Sequence, residues 1–122
     1  KVILMEAKED HPFVQVELMM PILPLVRVPD VDQAIEMAVR VEHGNRHTAM
    51  MHSRNVEKLT KMAKLIQTTI FVKNGPSYAG IGVGGEGYTT FTIAGPTGEG
   101  LTSAKSFARR RRCVLVGGMD VR

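Results

Sequence analysis

The sequence predicts an α/β fold in which strands and helices alternate as β-α-β-α-β around a mostly parallel sheet. Three observations predict it. Short apolar runs recur along residues 22–72, two amphipathic helical repeats separate them, and the connections between them are short. Because ligands of such sheets bind beyond the carboxyl ends of the strands, the segment after the last of these strands is the expected place for a binding site.

Four short runs within residues 1–72 are predicted strands. Residues 2–5 are expected to form a short buried strand, and Ile22 to Val28 forms the next. Pro24 within that run indicates an edge strand or a strand start, because proline has no N–H to donate to a neighbour. Residues 47–52 and 69–72 are the other two predicted strands of the sheet.

The first predicted helix begins at Asp30 and ends at Gly44. Asp30 is a suitable N-cap, and Gln33 three residues later completes a capping box. Gly44 is expected to end the helix because glycine adopts the left-handed conformation of a helix C-terminus at little cost. Its apolar face consists of Val31, Ala34, Ile35, Ala38 and Val39.

The second predicted helix is capped by either Ser53 or Asn55, both of which are good N-cap residues. Glu57 and Lys61 are expected to pair on its outer face, since they are four residues apart. Its buried stripe consists of Val56, Leu59, Met62, Ala63 and Ile66.

Composition indicates one globular domain of modest size. The chain has 122 residues, of which 43% are hydrophobic and 23% charged. No apolar run reaches the length of a membrane span, and no signal-peptide pattern is found, so no membrane partner is expected. A lone cysteine, Cys113, excludes an internal disulfide and favours a reducing, cytoplasmic compartment. The chain opens at Lys1 directly on an apolar run, which indicates a piece of a longer protein, although a processed chain would look the same.

The charge is basic, but it does not indicate nucleic-acid binding. The formal net charge is +4, and part of the excess is one run of four arginines at Arg109 to Arg112. No recognised nucleic-acid motif is present, and few aromatic residues lie among the basic ones. The arginine run is therefore interpreted first as a solvated or inter-subunit face, and phosphate binding is the second interpretation.

A glycine-rich segment from Asn74 to Gly100 holds 9 of the 12 glycines and includes a predicted strand at Tyr88 to Ile93. It could be a surface hairpin with flexible flanks or a loop that shapes a ligand pocket, and its position after a predicted strand favours the pocket. Residues 80–85 match G-x-G-x-x-G, but a strand is expected to follow, whereas a dinucleotide fingerprint requires a helix. Residues 95–100 lack the Lys-Ser/Thr of a phosphate-binding loop.

Few titratable residues suggest chemistry on their own. The histidines at 11, 43, 47 and 52 have no metal-binding spacing, so no metal site is predicted. His47 is interpreted as a polar residue at a strand start in preference to a ligand contact. Nearby arginines could lower the pKa of the Cys113 thiol and make it reactive, but a buried structural cysteine is favoured. Glu17 lies in an apolar stretch and must find a partner, reach solvent or serve a ligand; without other information a satisfied structural carboxylate is favoured.

Taken together, several stretches resemble the C-terminal part of the aldehyde dehydrogenase superfamily. They are residues 17–24 with the capped helix that follows, the Gly44 turn with the next strand and helix, and residues 69–74 leading into the glycine-rich loops. General members carry Glu-x-Phe-Gly-Pro where this chain has Glu17-Leu-Met-Met-Pro21. That departure is similar to the CoA-acylating branch, as are residues 42–44, 47–53, 90–100 and 111–115. The resemblance is greatest to propionaldehyde and acetaldehyde dehydrogenases of propanediol and ethanolamine utilisation, which are housed in bacterial microcompartments.

The resemblance implies an NAD-dependent enzyme that oxidises a short aldehyde through a cysteine thioester and passes the acyl group to CoA. In the family, the nucleophile and the dinucleotide-binding domain lie upstream of this region, and Cys113 does not match the nucleophile. No catalytic residue is therefore expected in this chain, which alone should be inactive. Residues 1–108 correspond to the last part of the catalytic domain, and residues 109–122 to an oligomerisation tail that joins subunits of a homo-oligomer.

By position, the resemblance also implies four site residues. Glu17 matches the residue that hydrogen-bonds the nicotinamide ribose, and Met19 replaces a phenylalanine that packs near the nicotinamide. Thr92 and Ile93 match positions that line the aldehyde pocket. The alternative is a free-standing, non-catalytic α/β module for assembly or binding.

The tail is predicted to contain a strand from Arg110 to Val116. Residues 113–116 are apolar on both faces, and an exposed edge of that kind would aggregate unless it were paired. This strand is expected to pair with a neighbouring subunit; packing inside the chain's own sheet is the other possibility.

Overall fold

The structure is a computed structural model that describes residues 1–85, 106, 108–114 and 116–117. It confirms the α/β class, with the strands and helices of residues 22–73 alternating in the expected order, whereas the short helices at Pro12–Gln15 and Ser77–Ile81 were not predicted. The elements are β1 (Ile3–Glu6), α1 (Pro12–Gln15), β2 (Ile22–Leu25), α2 (Val31–Val41), β3 (Thr48–Met51), α3 (Val56–Ile66), β4 (Ile70–Lys73) and a 3₁₀ helix (Ser77–Ile81).

The strands of this part of the chain form two parallel pairs instead of one continuous sheet. β1 pairs with β2 so that Ile3 lies opposite Ile22, and β3 pairs with β4 so that Thr48 lies opposite Ile70. Each pair is a β-α-β unit, with α1 or α3 as its crossover, and α2 connects the two units.

Pro24 helps to explain why β2 has one strand neighbour among the described residues. Ile3 donates its N–H to Pro21 and Ala7 donates to Leu25, so the odd-numbered residues of β2 bond towards β1. The nitrogen of Pro24 therefore faces the opposite edge, where it cannot donate to another strand. The predicted edge-strand role of Pro24 agrees with this arrangement.

The helix caps follow the sequence closely. Asp30 Oδ1 accepts a hydrogen bond of 2.9 Å from the Gln33 N–H, which also lowers the pKa of the Asp30 carboxyl. The Gln33 side chain donates to Asp30 Oδ2 at 3.0 Å, whereas in a capping box it would reach the backbone of the cap. Of the two candidates for the α3 cap, Asn55 fills the position, and its Oδ1 accepts from the Lys58 N–H at 3.1 Å.

The core lies between α2, α3 and the β3–β4 pair. Ile35, Met62 and Ile66 are buried together, and the residues packed against them are Ala38, Val39, Ala49, Met51 and Phe71. The predicted faces were too wide: Val31, Val56 and Ala63 are exposed. On α3 the buried residues Leu59, Met62 and Ile66 form a narrow stripe, and Val56 and Ala63 lie well to one side of its centre.

Two further predictions are wrong. Lys61 does not pair with Glu57; its Nζ lies 2.8 Å from Asp32 Oδ1 on α2, and the Lys58 Nζ binds the same carboxylate at 2.7 Å. The strand at the start of the chain is not buried, since Ile3 and Leu4 are 61% and 69% exposed. The described elements cover this strand only partly, because β2 is its one strand neighbour.

The tail residues that the structure describes do not form the predicted strand. Residues 109–114 are neither helix nor strand, and Cys113 is exposed instead of buried. A strand requires a hydrogen-bonding neighbour, and the described part of the single chain provides none there. The predicted strand at Tyr88 to Ile93 lies outside the described residues, as do the predicted pocket residues Thr92 and Ile93.

Within the described part of the chain, no helix is long and apolar enough to cross a membrane. The same residues contain no group of three or more metal-ligating side chains close enough to hold an ion.

Candidate functional site

A groove of about 330 Å³ lies where the segment after α1 meets the loop between α2 and β3. Glu17 comes from the first of these, and His43 and His47 come from the second. The lining residues are Val14, Gln15, Val16, Glu17, Val41, Glu42, His43, Asn45, His47 and Thr48. The groove thus combines two carboxylates and two imidazoles, and Glu17 comes from a separate part of the sequence from Glu42, His43 and His47.

Glu17 reaches the groove because α1 is short and ends abruptly. His11 caps the helix by accepting the Phe13 N–H at Nδ1, 3.1 Å away, and Pro12 occupies the first helical position. Val16 returns to an extended conformation, so the chain leaves the helix with Glu17 exposed. Within the described residues, the Glu17 carboxylate has neither a hydrogen bond nor an ion pair. The satisfied structural carboxylate favoured from the sequence is therefore not what the structure contains.

Gln15 connects the two sides of the groove. Its Oε1 lies 3.0 Å from His43 Nε2, and its Nε2 donates to the Glu9 carbonyl at 2.5 Å. Glu9 in turn binds Arg40 near the end of α2, with 2.9 Å between carboxylate and guanidinium. These contacts fix α1 against the C-terminal end of α2.

The loop from Glu42 to His47 has an uncommon backbone. His43, Gly44 and Arg46 have φ of 54°, 80° and 55°, in the left-handed region that only glycine adopts freely. The Glu42 carboxylate accepts the Gly44 N–H at 2.9 Å and also the Arg46 N–H. After the loop, the His47 carbonyl accepts the Ile70 N–H at 3.1 Å, which joins this wall to β4.

Met19 lies apart from the groove that contains Glu17. It is 91% exposed and has a φ of 48°, and it is not among the lining residues. The structure therefore brings one of the two predicted cofactor-binding residues into the groove and leaves the other on the open surface. Its role near a nicotinamide stays a prediction.

A second cavity, of about 400 Å³, lies at the carboxyl end of β4. Its lining residues are Phe71, Val72, Lys73, Ala79, Gly80 and Gly85. A Cβ on Gly80 would lie 2.3 Å from the Ile70 Cγ2, so the backbone approaches the strand more closely than other residues allow. The first part of the glycine-rich segment thus packs on β4 beside this cavity.

Sequence reasoning misses the part that His43 and Gln15 play in the groove. For His43 the sequence raises the question of a metal site and a place in the family resemblance, and Gln15 has no recognisable pattern. Their contact joins residues 28 positions apart, and it depends on how α1 docks against α2. A local pattern cannot predict such a contact.

A family model described as the aldehyde dehydrogenase family matches residues 2–100. Among curated proteins, propanal dehydrogenase (CoA-propanoylating) of Citrobacter freundii is 63% identical over 115 residues, which are 94% of this chain and 25% of that protein. Acetaldehyde dehydrogenase (acetylating) of Escherichia coli is 59% identical over 121 residues, which are 99% of this chain and 26% of that protein. The chain therefore spans about a quarter of the length of these relatives.

Solved structures similar to this chain are also dehydrogenases or reductases of aldehydes and acyl-CoA, and the chain again covers about a quarter of each. Propionaldehyde dehydrogenase of Rhodopseudomonas palustris with bound propionyl-CoA matches with a TM-score of 0.85 and 80% identity over 94% of this chain and 25% of its own. An engineered glycolyl-CoA reductase with bound NADP⁺ matches with a TM-score of 0.84 and 80% identity over 94% of this chain and 26% of its own. The propionaldehyde dehydrogenase of a fucose utilisation microcompartment of Clostridium phytofermentans has a TM-score of 0.83 and 56% identity, over 100% of this chain and 28% of its own.

Proposed function

Because this chain belongs to the aldehyde dehydrogenase family, we propose that it is part of an NAD-dependent, CoA-acylating aldehyde dehydrogenase. The parent enzyme would convert a short aldehyde, propionaldehyde or acetaldehyde, into its acyl-CoA through a cysteine thioester. The relatives named for CoA acylation and the structure with bound propionyl-CoA support this reaction class. Cys113 is exposed in the tail, far along the chain from Glu17, and we assign it no part in the reaction.

The observation that carries the proposal is the exposed Glu17 carboxylate in the groove, which has no partner among the described residues. A carboxylate offers two acceptor oxygens, and the ribose of a nicotinamide nucleotide offers two hydroxyl donors. Glu17 therefore fits the ribose-binding role, and the bound nicotinamide would accept the hydride of the aldehyde. The Gln15–His43 contact orients the opposite wall of the same groove.

Replacing Glu17 by Gln in the parent enzyme tests this role. We expect the fold to be retained, and KM for NAD to rise or kcat to fall, because the change removes a charge-assisted acceptor worth about 1.5–3 kcal/mol. Steady-state kinetics and thermal unfolding on the same preparation measure both quantities. A variant with lower Tm and normal kinetics would show that Glu17 is a structural carboxylate.

The remaining site residues follow from the family positions. We propose that Met19 packs near the nicotinamide in the assembled enzyme and that Thr92 and Ile93 line the aldehyde pocket. The cavity beside Gly80 supports a pocket at this end of the sheet, because the glycine-rich segment that contains Thr92 and Ile93 starts there. CoA would enter as the cosubstrate that accepts the acyl group.

We also propose that residues 109–122 join subunits into a homo-oligomer, while residues 1–108 belong to the catalytic domain. Val114 and Val116 are 72% and 94% exposed, which favours a segment that forms a strand when it pairs with another subunit. The adjacent arginines, exposed in the described tail, could bind acidic groups across the interface with bidentate hydrogen bonds. Light scattering on the chain with and without residues 109–122 tests this: loss of the larger species on truncation is expected, and an unchanged mass would exclude the role.

The microcompartment-associated relative supports a location inside a bacterial microcompartment for the parent enzyme. A free-standing binding module remains the second candidate, favoured only by the absence of a matching nucleophile in this chain. NADH formation from propionaldehyde, NAD and CoA by the parent protein is expected for the first candidate and not for the second. The 122-residue chain alone is expected to be inactive under both.

A further inference from the structure

We propose that Glu42 is a positioning residue that holds His43 and His47 in the groove with Glu17. This inference rests on the proposed function of that groove as the site for the nicotinamide ribose. Glu42 itself is half-buried, and its carboxylate is turned towards the backbone of its own loop.

Both oxygens of the Glu42 carboxylate are used. Oε2 accepts the Gly44 N–H at 2.9 Å, and Oε1 accepts the N–H of Arg46, four residues after Glu42. The Glu42 carbonyl accepts the Asn45 Nδ2 at 2.9 Å, so the same residue binds the loop through its backbone as well. The loop is thus folded around one side chain.

The loop needs such a support because its backbone is intrinsically unfavourable. His43 and Arg46 are both left-handed, and side chains other than glycine adopt that conformation only when the surroundings enforce it. Strained backbone of this kind is concentrated at functional sites, where it sets the direction of particular side chains. In this loop one of the left-handed residues, His43, lies in the groove, and the other, Arg46, directly precedes His47.

Stabilising the helix does not explain where Glu42 lies. It is the C-cap of α2, where the partial negative charge of the helix disfavours a carboxylate. The two backbone N–H groups beyond the helix offset that repulsion. The position of the carboxylate therefore stabilises the loop, although its negative charge is unfavourable at the C-terminus of the helix.

The conformation of the loop determines where His43 and His47 lie in the groove. His43 contacts Gln15 on the opposite wall, and the His47 backbone is joined to β4 through Ile70. If the carboxylate is removed, the loop can relax between these two contacts, and the imidazoles change position relative to Glu17. Glu42 would thereby affect binding in the groove without touching the ligand.

The experiment uses the full-length enzyme with Glu42→Gln and Glu42→Ala, and Glu36→Gln as the matched control. Glu36 is an exposed carboxylate on the same helix. Hydrogen–deuterium exchange of the peptide covering residues 42–48 reports on the loop, and KM for NAD against kcat reports on the groove. We expect faster exchange in both Glu42 variants and a rise of about tenfold in KM for NAD in Glu42→Ala, which corresponds to about 1.4 kcal/mol.

The outcomes separate the two proposals. Glu42→Gln keeps one acceptor oxygen and should have an intermediate effect, so it remains informative if Glu42→Ala does not fold. Unchanged exchange in both variants would overturn the positioning role, whatever the groove binds. The positioning role would also be overturned if the Glu42 variants exchange faster but leave KM for NAD unchanged, while Glu17→Gln raises it. If neither Glu17→Gln nor the Glu42 variants alter kinetics with NAD, the proposed function of the groove is wrong.

Discussion

The two parallel strand pairs have the same β-α-β connectivity but differ in how completely they are covered. On β3–β4, one face carries Ala49, Met51 and Phe71, which pack against the core of α2 and α3. The opposite face carries Ile70 and Val72, which are covered by the glycine-rich segment at Gly75 and Gly80. On this second face Met50 of β3 is 48% exposed, so the pair is covered on its helix-facing side and, on the other side, along β4 only.

The β1–β2 pair has an open apolar face. Leu4 and Leu23 are opposite each other in the parallel register, and Leu25 follows on the same side of the sheet. They are 69%, 54% and 42% exposed. Parallel sheets are normally covered on both faces. Since the chain spans about a quarter of its relatives, we expect other parts of the parent enzyme to cover these leucines.

The largest expected effect is at Ile35, in the centre of the covered half. Ile35 is 2% exposed, so Ile35→Ala leaves a cavity and should destabilise the parent enzyme by about 2–5 kcal/mol. Denaturant unfolding measures it, with Leu23→Ala as the matched variant on the open face.

Leu23→Ala should lower the free energy of unfolding by different amounts in the 122-residue chain and in the full-length enzyme. In the 122-residue chain its cost should lie within about 0.5 kcal/mol, as for other exposed positions. In the full-length enzyme the cost should approach that of Ile35→Ala, because the side chain would then be buried. Equal and small costs in both contexts would show that the face is left open in the assembled protein.

The next effect concerns Gly80, which allows the glycine-rich segment to cover β4. A Cβ at this position would lie 2.3 Å from the Ile70 Cγ2, so Gly80→Ala should cost about 1–3 kcal/mol by overpacking. Gly75→Ala is the control, because its Cβ would have an ordinary contact of 3.4 Å with Val72. The difference in Tm between the two variants measures the effect. Equal values would mean that the segment does not pack on β4 as closely as described.

The contrast between the two halves also separates what the sequence predicts from what it cannot. Caps and element order depend on neighbouring residues, and the sequence therefore predicts them: Asp30 and Asn55 cap the helices, and Gly44 is left-handed after α2. Burial of β1 depends on what lies beside it, so the apolar run at residues 2–5 wrongly predicted a covered strand. The separation of the strands into two pairs is likewise a tertiary property.

The same limit applies to the candidate site. Motif position identified Glu17, because the residues that mark it are contiguous. The side of the groove that carries His43 and His47 could not be predicted, because Gln15 contacts His43 only after α1 docks on α2. The pairing of Lys61 with Asp32 in place of Glu57 has the same origin, since a tertiary contact replaced a local one.

The smallest expected effect concerns that ion pair, which joins α2 to α3 in the covered half. Hydrogen bonds from Lys58 and then Lys61 lower the pKa of Asp32 to about 2, from an ordinary 3.8. A lowered carboxyl pKa stabilises the fold above the unfolded value and loses that contribution as the pH falls through the folded one. Asp32→Asn should therefore lower Tm at neutral pH, and the difference from the unsubstituted protein should shrink between pH 4 and about 2.

Glu57→Gln, on the exposed face of α3, is the control and should leave this pH dependence unchanged.

Added salt should weaken the effect of Asp32→Asn on Tm, because Asp32, Lys58 and Lys61 are all partly solvated. The corresponding shift of Lys61 is upward, so the same ion pair should also weaken in strong alkali. If Asp32→Asn lowers Tm equally at pH 2 and pH 7, the side chain acts through packing or hydrogen bonding instead of charge. The charge of Asp32 would then contribute nothing to the α2–α3 contact.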